Sequence, residues 1–228
     1  MLELPDDVGP IERFSLAEVD RVTKGAELEH LTTQGWAGLS QPVLTPLTRE
    51  LIGKDADLLA FWKAEKDTFR YHYVVWDCSF AAEQGPPFEK AWAEVELTAG
   101  DGEVRNWSMD PKEVVDKRDL KLKGSLGSGF KLIKAGVQSE TTIERPDWYL
   151  RAYREGSPKP YWEFHKTAKH EIEGSVRLRM VVRCQTGFGG TGQVTLSAMI
   201  ANRRFLLFRN DGPNPDPAKL SFVIPAEG

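Results

Sequence analysis

The alternation of apolar and polar residues is clearest over residues 175–201. The apolar positions of its two runs are Val176, Leu178, Met180, Val182 and Cys184, then Val194, Leu196, Ala198 and Ile200. Successive side chains of a β-strand point to opposite faces, so this period of two predicts two strands, each with one buried and one solvent-facing side. The glycine-rich residues 186–192 between the runs predict a loop that reverses the chain and makes the two strands antiparallel.

The same alternation begins near residue 71 and recurs to the end of the chain. It covers residues 71–80, 91–97, 104–107, 148–152, 162–164 and 220–224, and residues 120–144 add one long strand or two short ones. Gly100-Asp101-Gly102 is typical of a tight hairpin. We therefore expect the strand at 91–97 to pair with the strand at 104–107.

The N-terminal third follows a helical pattern instead. Ser15 and Glu18 form a capping box at the start of one predicted helix. Apolar residues between Leu47 and Trp62 recur at the spacing of a helix that packs one face against the protein. A capping aspartate, a proline and a glutamate at residues 110–113 predict a further short helix that ends near residue 118.

These patterns together predict a mainly β or α+β protein. Residues 67–228 are expected to form an antiparallel β-sandwich domain, because alternating strands predominate and regular strand–helix crossovers are absent. Residues 1–66 are expected to form a helical region packed on the sheet.

Composition and charge limit the classes of function. The 228 residues are 40% hydrophobic and include 7 Trp, 11 Phe and 5 Tyr, which is enough for a substantial core. A net charge of -4 argues against general nucleic-acid binding, which needs a basic surface. The N-terminus lacks the pattern of a secretory signal, and no segment approaches the ~20 apolar residues of a spanning helix. We therefore expect a cytoplasmic protein.

Two glycine-rich segments match nucleotide-binding patterns only in part. Gly187, Gly189 and Gly192 have dinucleotide-motif spacing, but the following residues alternate as a strand rather than opening a helix. Residues 124–129 are glycine-rich like a phosphate-binding loop, yet Phe130 stands where such a loop needs lysine. The sequence predicts no cofactor.

Metal-binding and nucleophilic sites also lack their required spacing. His165 and His170 have no third ligand at zinc-site spacing. His72 and Cys78 are six residues apart in one predicted strand, or about 20 Å, too far for a base to activate a nucleophile. Cys78 and Cys184 both fall on apolar strand faces, where we expect them to be buried as small hydrophobic residues.

Paired carboxylates provide the remaining candidate for catalysis. Glu94 and Glu96 share the solvent-facing side of one predicted strand. Such a pair is usually part of a hydrated sheet face rather than an acid–base pair. The sequence therefore predicts neither catalytic residues nor a metal site.

Aromatic residues on the solvent-facing side of the sheet form a candidate partner surface. They are Trp92, Tyr149, Tyr153 and Tyr161. Aromatic side chains are enriched at recognition surfaces, which predicts binding to a protein partner or to a second copy of the chain. The alternative is that the N-terminal helices cover this face.

Residues 120–137 are amphipathic, glycine-rich and basic. The apolar face includes Leu126, Phe130 and Leu132, and the lysines are Lys121, Lys123, Lys131 and Lys134. Two interpretations stay open. The segment is either a curved strand with glycines at a bulge or a close contact, or a mobile strand that inserts into an anionic membrane under some conditions or docks on an acidic partner.

The hypothesis that follows is a non-enzymatic, intracellular interaction module that binds a protein partner. One alternative is a membrane-active, pore-forming-like effector that uses residues 120–137. The other is a hydrolase whose site is assembled only in three dimensions.

Overall fold

A computed structural model describes residues 11–17, 33–52, 56–82, 88–122, 141–200 and 217–226. Most of these residues lie in strands, which form two antiparallel sheets, and a few lie in helices. In chain order the elements are β1 (Ile11–Ala17), β2 (Thr33–Ser40), β3 (Val43–Pro46), α1 (Arg49–Ile52), α2 (Ala56–Glu65), β4 (Phe69–Ala81), β5 (Phe88–Ala99), β6 (Val104–Asp110), β7 (Glu113–Leu122), β8 (Thr141–Tyr153), β9 (Tyr161–His165), β10 (Gly174–Gln185), β11 (Gly190–Ile200) and β12 (Ala218–Ile224).

Each sheet contains six of the described strands. In the first, which we call sheet A, the order is β1, β2, β4, β10 and β6, and β3 also pairs with β4. In the second, sheet B, the order is β12, β11, β5, β9, β8 and β7. The predicted predominance of antiparallel strands is therefore confirmed.

One buried core contains side chains from both sheets. Trp76 on β4 contacts Trp162 on β9, with ring centroids 5.4 Å apart and the rings nearly perpendicular. Phe80 on β4 contacts Phe164 on β9 in a similar edge-on arrangement at 5.3 Å. All four rings are buried, and edge-on contacts of this kind stabilise a core beyond the apolar area they bury.

Helices α1 and α2 lie against the opposite face of sheet A. This face presents Tyr71, Tyr73, Val75 and Val181, which are buried beside Leu47 and Ile52. Leu51 and Trp62 pack against the same cluster. The two faces of β4 are therefore both apolar because one meets the core and the other meets the helices.

The helix predicted to begin at Ser15 is wrong. Residues Ile11–Ala17 form strand β1, which pairs antiparallel with β2. Glu18, the other half of the capping box, lies outside the described residues. Backbone pairing with β2 outweighs a local capping preference. The helical N-terminal region is accordingly not shown, since within the described part of residues 1–66 the helices are limited to α1 and α2.

The helix predicted from residues 110–113 is also wrong. The chain continues there into strand β7, which pairs with β8 along its length. The Ala152 N–H donates to the Lys112 carbonyl at 2.8 Å, which extends this pairing toward Pro111. The residues predicted to cap a helix therefore lie at the beginning of β7. Hydrogen bonds to β8 take the place of the hydrogen bonds within a helix.

The predicted pairing of the strand at 91–97 with the strand at 104–107 is wrong, because the turn at residues 100–102 joins strands of different sheets. β5 pairs with β9 and β11 in sheet B, whereas β6 pairs with β10 in sheet A. Likewise β10 belongs to sheet A and β11 to sheet B. The strands themselves are confirmed. Alternation shows which side of a strand is buried, but it does not show which strand is its neighbour.

Both cysteines are buried and free, as expected. Cys78 on β4 pairs with Val176 on β10, and Cys184 on β10 pairs with Arg70 on β4. Eight positions of β10 therefore separate them, about 26 Å at ~3.3 Å per residue. Each behaves as a small apolar side chain.

Candidate functional site

Three of the four aromatic residues predicted for a partner surface lie on the outer face of sheet B, the face opposite the shared core. Trp92 is on β5, Tyr153 on β8 and Tyr161 on β9, and all three are half-buried. Tyr153 is directly opposite Tyr161 across the β8–β9 pair. Their neighbours Ala93 and Trp162 point into the core. The period of two thus correctly assigned these three rings to the outer face.

Tyr149 has the opposite orientation. It is buried, with its ring 6.4 Å from that of Phe164 and 5.5 Å from that of His170. Burial raises the pKa of its phenol. Tyr149 therefore lies with the core residues and not on the outer face.

A β-bulge explains why Tyr149 faces the core rather than the outer face. Val114 of β7 pairs with Leu150 and Val115 pairs with Trp148, so that Tyr149 is an extra residue on β8. An extra residue shifts the alternation by one position. As a result Trp148, which the alternation had grouped with the apolar positions Leu150 and Ala152, is 36% exposed.

Aromatic and arginine side chains form a continuous row on this outer face. The Arg151 guanidinium lies 4.6 Å from the centre of the Trp148 ring and 5.5 Å from that of Tyr153. The Tyr153 and Tyr161 rings are stacked, with centroids 4.9 Å apart and planes 12° from parallel. We call Trp148, Arg151, Tyr153 and Tyr161 the ridge. Cation–π and stacking contacts hold its members in one arrangement.

A groove of about 440 Å³ lies beside the ridge. Its lining consists of Trp92, Glu94, Val95, Glu96, Arg154, Lys159, Pro160, Tyr161 and Thr195. Strands β5 and β11 form its floor, and the connection between β8 and β9, residues 154–160, forms its wall. Clefts of this size are typical of sites for small ligands.

The wall of the groove is held by hydrogen bonds to the sheet. The Val95 and Leu97 N–H groups donate to the carbonyls of Pro160 and Pro158 at 2.9 and 2.8 Å. Asn106, which is buried, donates its backbone N–H to this connection at 3.1 Å and accepts from it through its side-chain oxygen at 3.2 Å. The connection thus extends the sheet and is positioned before any ligand arrives.

Charges of both signs line the groove. Lys159 forms an ion pair with Glu96 at 2.6 Å. The Arg154 guanidinium lies 5.5 Å from the centre of the Tyr161 ring. Arg154 has a backbone φ of 60°, the left-handed conformation that few non-glycine residues adopt. This conformation costs free energy in a residue with a side chain, and it persists only where the surrounding structure maintains it. Residues of this kind are concentrated at functional sites.

The cysteine and histidine residues considered for catalysis are not brought together. Cys78 is buried, and desolvation raises the pKa of its thiol, which opposes formation of a nucleophilic thiolate. His165 contacts Glu163 at 2.9 Å on the outer face, while His170 lies beside Tyr149. Within the described ranges, no group of three or more His, Cys, Asp or Glu residues could hold a metal ion.

The glycine-rich loop after β10 leads into a strand. Residues 186–189 connect β10 to β11, and Gly187 takes a φ of 83° in this connection. A dinucleotide site needs a helix N-terminus at this position. This part of the structure agrees with the prediction of a loop between two strands.

Most of the predicted membrane-active segment lies outside the described residues. This applies to Leu126, Phe130, Leu132, Lys123, Lys131 and Lys134. Lys121 belongs to β7, but its side chain is not among those described. Among the described helices, none has the length and apolar character needed to cross a bilayer. The membrane-active hypothesis stays a prediction.

Neither protein-family models nor curated proteins match this chain. The outer face of sheet B is therefore the basis for inferring function. Sequence reasoning identified Trp92, Tyr153 and Tyr161, but it missed Trp148 and the charged groove residues Arg154 and Lys159. The outward orientation of Trp148 depends on a bulge that no sequence pattern indicates. The position of Arg151 on the outer face could have been predicted, because Arg151 is two residues from Tyr153 in the same strand.

Proposed function

We propose that this protein is a non-enzymatic interaction module, a β-sandwich of sheets A and B that binds a protein partner through the outer face of sheet B. The observation that carries the proposal is the ridge. It joins one Trp, two Tyr and one Arg in consecutive contact on one face. Trp, Tyr and Arg are the residue types that most often supply the binding energy of protein interfaces.

The internal contacts of the ridge support a role in binding. A partner that meets freely rotating side chains loses binding energy to ordering them. Here Arg151 is already held between Trp148 and Tyr153, and Tyr153 is stacked on Tyr161. Rigid aromatic side chains of this kind provide large contact area at low entropic cost.

The position of the helices also favours sheet B. Helices α1 and α2 pack on the outer face of sheet A, where they bury Tyr71 and Tyr73. In the described part of the chain, the sheet strand against which α2 chiefly packs is β4. As far as the described residues show, sheet B therefore offers the more accessible of the two outer faces.

The arginines indicate the chemistry of the partner. In the described part of the chain, neither Arg151 nor Arg154 forms an ion pair, and both guanidinium groups lie over aromatic rings. A guanidinium stacked on a ring keeps its N–H edge available for bidentate bonds to carboxylates. We expect the partner to place Asp or Glu side chains opposite these two arginines.

Quantitative affinity purification from the native host tests this proposal. The bait proteins are the wild type, the double variant Trp148→Ala and Arg151→Ala, and Val223→Ala as control. Val223 is also exposed, at 72%, but it is on β12 at the opposite edge of sheet B. We expect at least one protein to be retained by the wild type and the control, and reduced about tenfold or more by the ridge variant.

The same difference must then appear with purified components. Isothermal titration with the identified partner should show the loss of affinity, and circular dichroism should show that the ridge variant is folded. If every retained protein binds the ridge variant as well as the wild type, or if no protein is retained, the proposal is wrong.

A further inference from the structure

The groove differs from the ridge in its electrostatic character. Two carboxylates, Glu94 and Glu96, and two cations, Arg154 and Lys159, line the same cleft. One of each sign is already paired, since Lys159 contacts Glu96 at 2.6 Å. The electric fields of two opposite charges this close together largely cancel at a distance of several ångströms. The groove therefore gives a strongly charged ligand of either sign little net attraction.

The same side chains are well suited to hydroxyl groups. A carboxylate accepts hydrogen bonds, whereas ammonium and guanidinium groups only donate them. A hydroxyl group does both, so that neighbouring hydroxyls of one ligand can bond to Glu94 and to Arg154 or Lys159 together. A hydroxyl-rich, uncharged ligand thus uses all the polar groups of the groove without adding a charge.

Aromatic rings complete this chemistry at the edges of the groove. Trp92 and Tyr161 both line it, and both are only half-buried. The face of an aromatic ring carries partial negative charge and attracts polarised C–H groups. Sugar rings present such C–H groups on one face and hydroxyls around the rim.

The wall of the groove is suited to weakly binding ligands of this kind. Residues 154–160 are tied to β5 through Val95 and Leu97 and to β6 through Asn106. A preformed cleft spares the ligand the cost of ordering a loop. We infer that the groove is a binding site for a short saccharide, stacked on Trp92 and hydrogen-bonded by Glu94, Arg154 and Lys159.

This inference goes beyond the proposed protein partner, because Trp92, Glu94 and Lys159 belong to the groove alone, although Arg154 and Tyr161 take part in both proposals. Isothermal titration of the full chain with neutral disaccharides tests it. The panel is maltose, cellobiose, lactose, mannobiose, xylobiose and chitobiose. We expect at least one to bind, with an affinity that changes less than about twofold between low and high salt because the ligand carries no charge for salt to screen.

Variants show whether the sugar is in the groove. Trp92→Ala should weaken binding about tenfold, and Glu94→Gln should weaken it several-fold. Trp92→Phe keeps an aromatic face and should retain part of the affinity, so a folding defect of the alanine variant would not leave the test undecided. Thr98→Ala, on the same strand and outside the groove lining, is the matched control and should bind as the wild type does.

Three results would overturn the inference. The first is that no disaccharide binds at millimolar concentration, and the second is that binding is unchanged in Trp92→Ala. The third is salt-dependent binding of tetralysine or tetraglutamate in the groove without any binding of sugar. Trp148→Ala separates this test from that of the protein partner, because it alters the ridge and should leave sugar binding intact.

Discussion

Arg183 connects helix α2, sheet A and the start of β6. Its guanidinium lies over the Phe69 ring at 4.0 Å, and it donates to Glu65 of α2 at 3.0 Å and to Glu103 at 2.8 Å. Glu103 also pairs with Arg105 at 2.6 Å. One partly buried side chain therefore joins elements that are far apart in the sequence.

These contacts predict an acid-sensitive contribution to stability. The hydrogen bond from Arg183, with added attraction from Arg105, lowers the pKa of Glu103. A carboxyl group with a lowered pKa stabilises the folded state above its ordinary pKa of about 4.3, and this stabilisation is lost as the pH falls through the folded pKa. The free energy of unfolding should therefore decrease below about pH 4.3, and Glu103→Gln should reduce this decrease by about 0.5–1 kcal/mol.

Urea denaturation between neutral and acidic pH measures this difference. Glu173→Gln is the control, because it removes the same charge from an exposed position and should leave the acid dependence as it is in the wild type. Equal acid dependence of the wild type and Glu103→Gln would show that the Glu103 ion pairs do not contribute to stability.

Strand β12 packs on β11 through a glycine and a phenylalanine. Gly192 is directly opposite Phe222, whose ring is buried and covers the glycine. A Cβ atom at position 192 would overlap this ring. The glycine is therefore required by packing between the strands.

Gly192→Ala should destabilise the protein by about 1–3 kcal/mol, because the added methyl group has to displace the buried Phe222 ring. In a Phe222→Leu background the same substitution should cost less, since the smaller side chain leaves room for the methyl group. Urea denaturation of the four proteins in this cycle gives the coupling energy. Gly100→Ala is the control, as a Cβ atom added there would meet nothing within 4 Å.

A contrary outcome is simple to recognise. If Gly192→Ala costs the same in both backgrounds, the destabilisation arises from the backbone and not from Phe222.

At the scale of the whole molecule, the chain crosses repeatedly between the two sheets. Strand β4 is in sheet A, β5 in sheet B, β6 in sheet A and β7 in sheet B. Neither sheet is therefore a continuous piece of sequence, and the core between them includes residues of both. The sheets cannot separate without exposing rings such as Trp76 and Trp162.

We accordingly expect the described sheets to unfold together. Far-ultraviolet circular dichroism reports the loss of strands, and tryptophan fluorescence reports the exposure to solvent of buried rings such as Trp76 and Trp162. Their transitions in urea should have the same midpoint and slope. Two resolved transitions would show instead that one sheet persists without the other.

Four aromatic residues show where the alternation of apolar and polar positions predicts the exposed face of a strand and where it fails. Alternation correctly placed Trp92, Tyr153 and Tyr161 on an outer face, because their neighbours are apolar and buried. It failed at Tyr149, because one extra residue on β8 exchanges the two faces. It also missed the wall of the groove, because the hydrogen bonds of residues 154–160 reach β5 and β6, about 50–65 positions away along the chain.

The amino-acid sequence alone determined that this protein is built mainly from strands, and for most of them it determined which side is buried. The reason is that burial of apolar side chains acts position by position, with a period set by the strand itself. The tertiary structure decided which strands are neighbours, where β8 carries its bulge, and how the ridge and the groove meet on one face. These features depend on backbone hydrogen bonds between distant segments, and backbone groups are the same at every position of the chain.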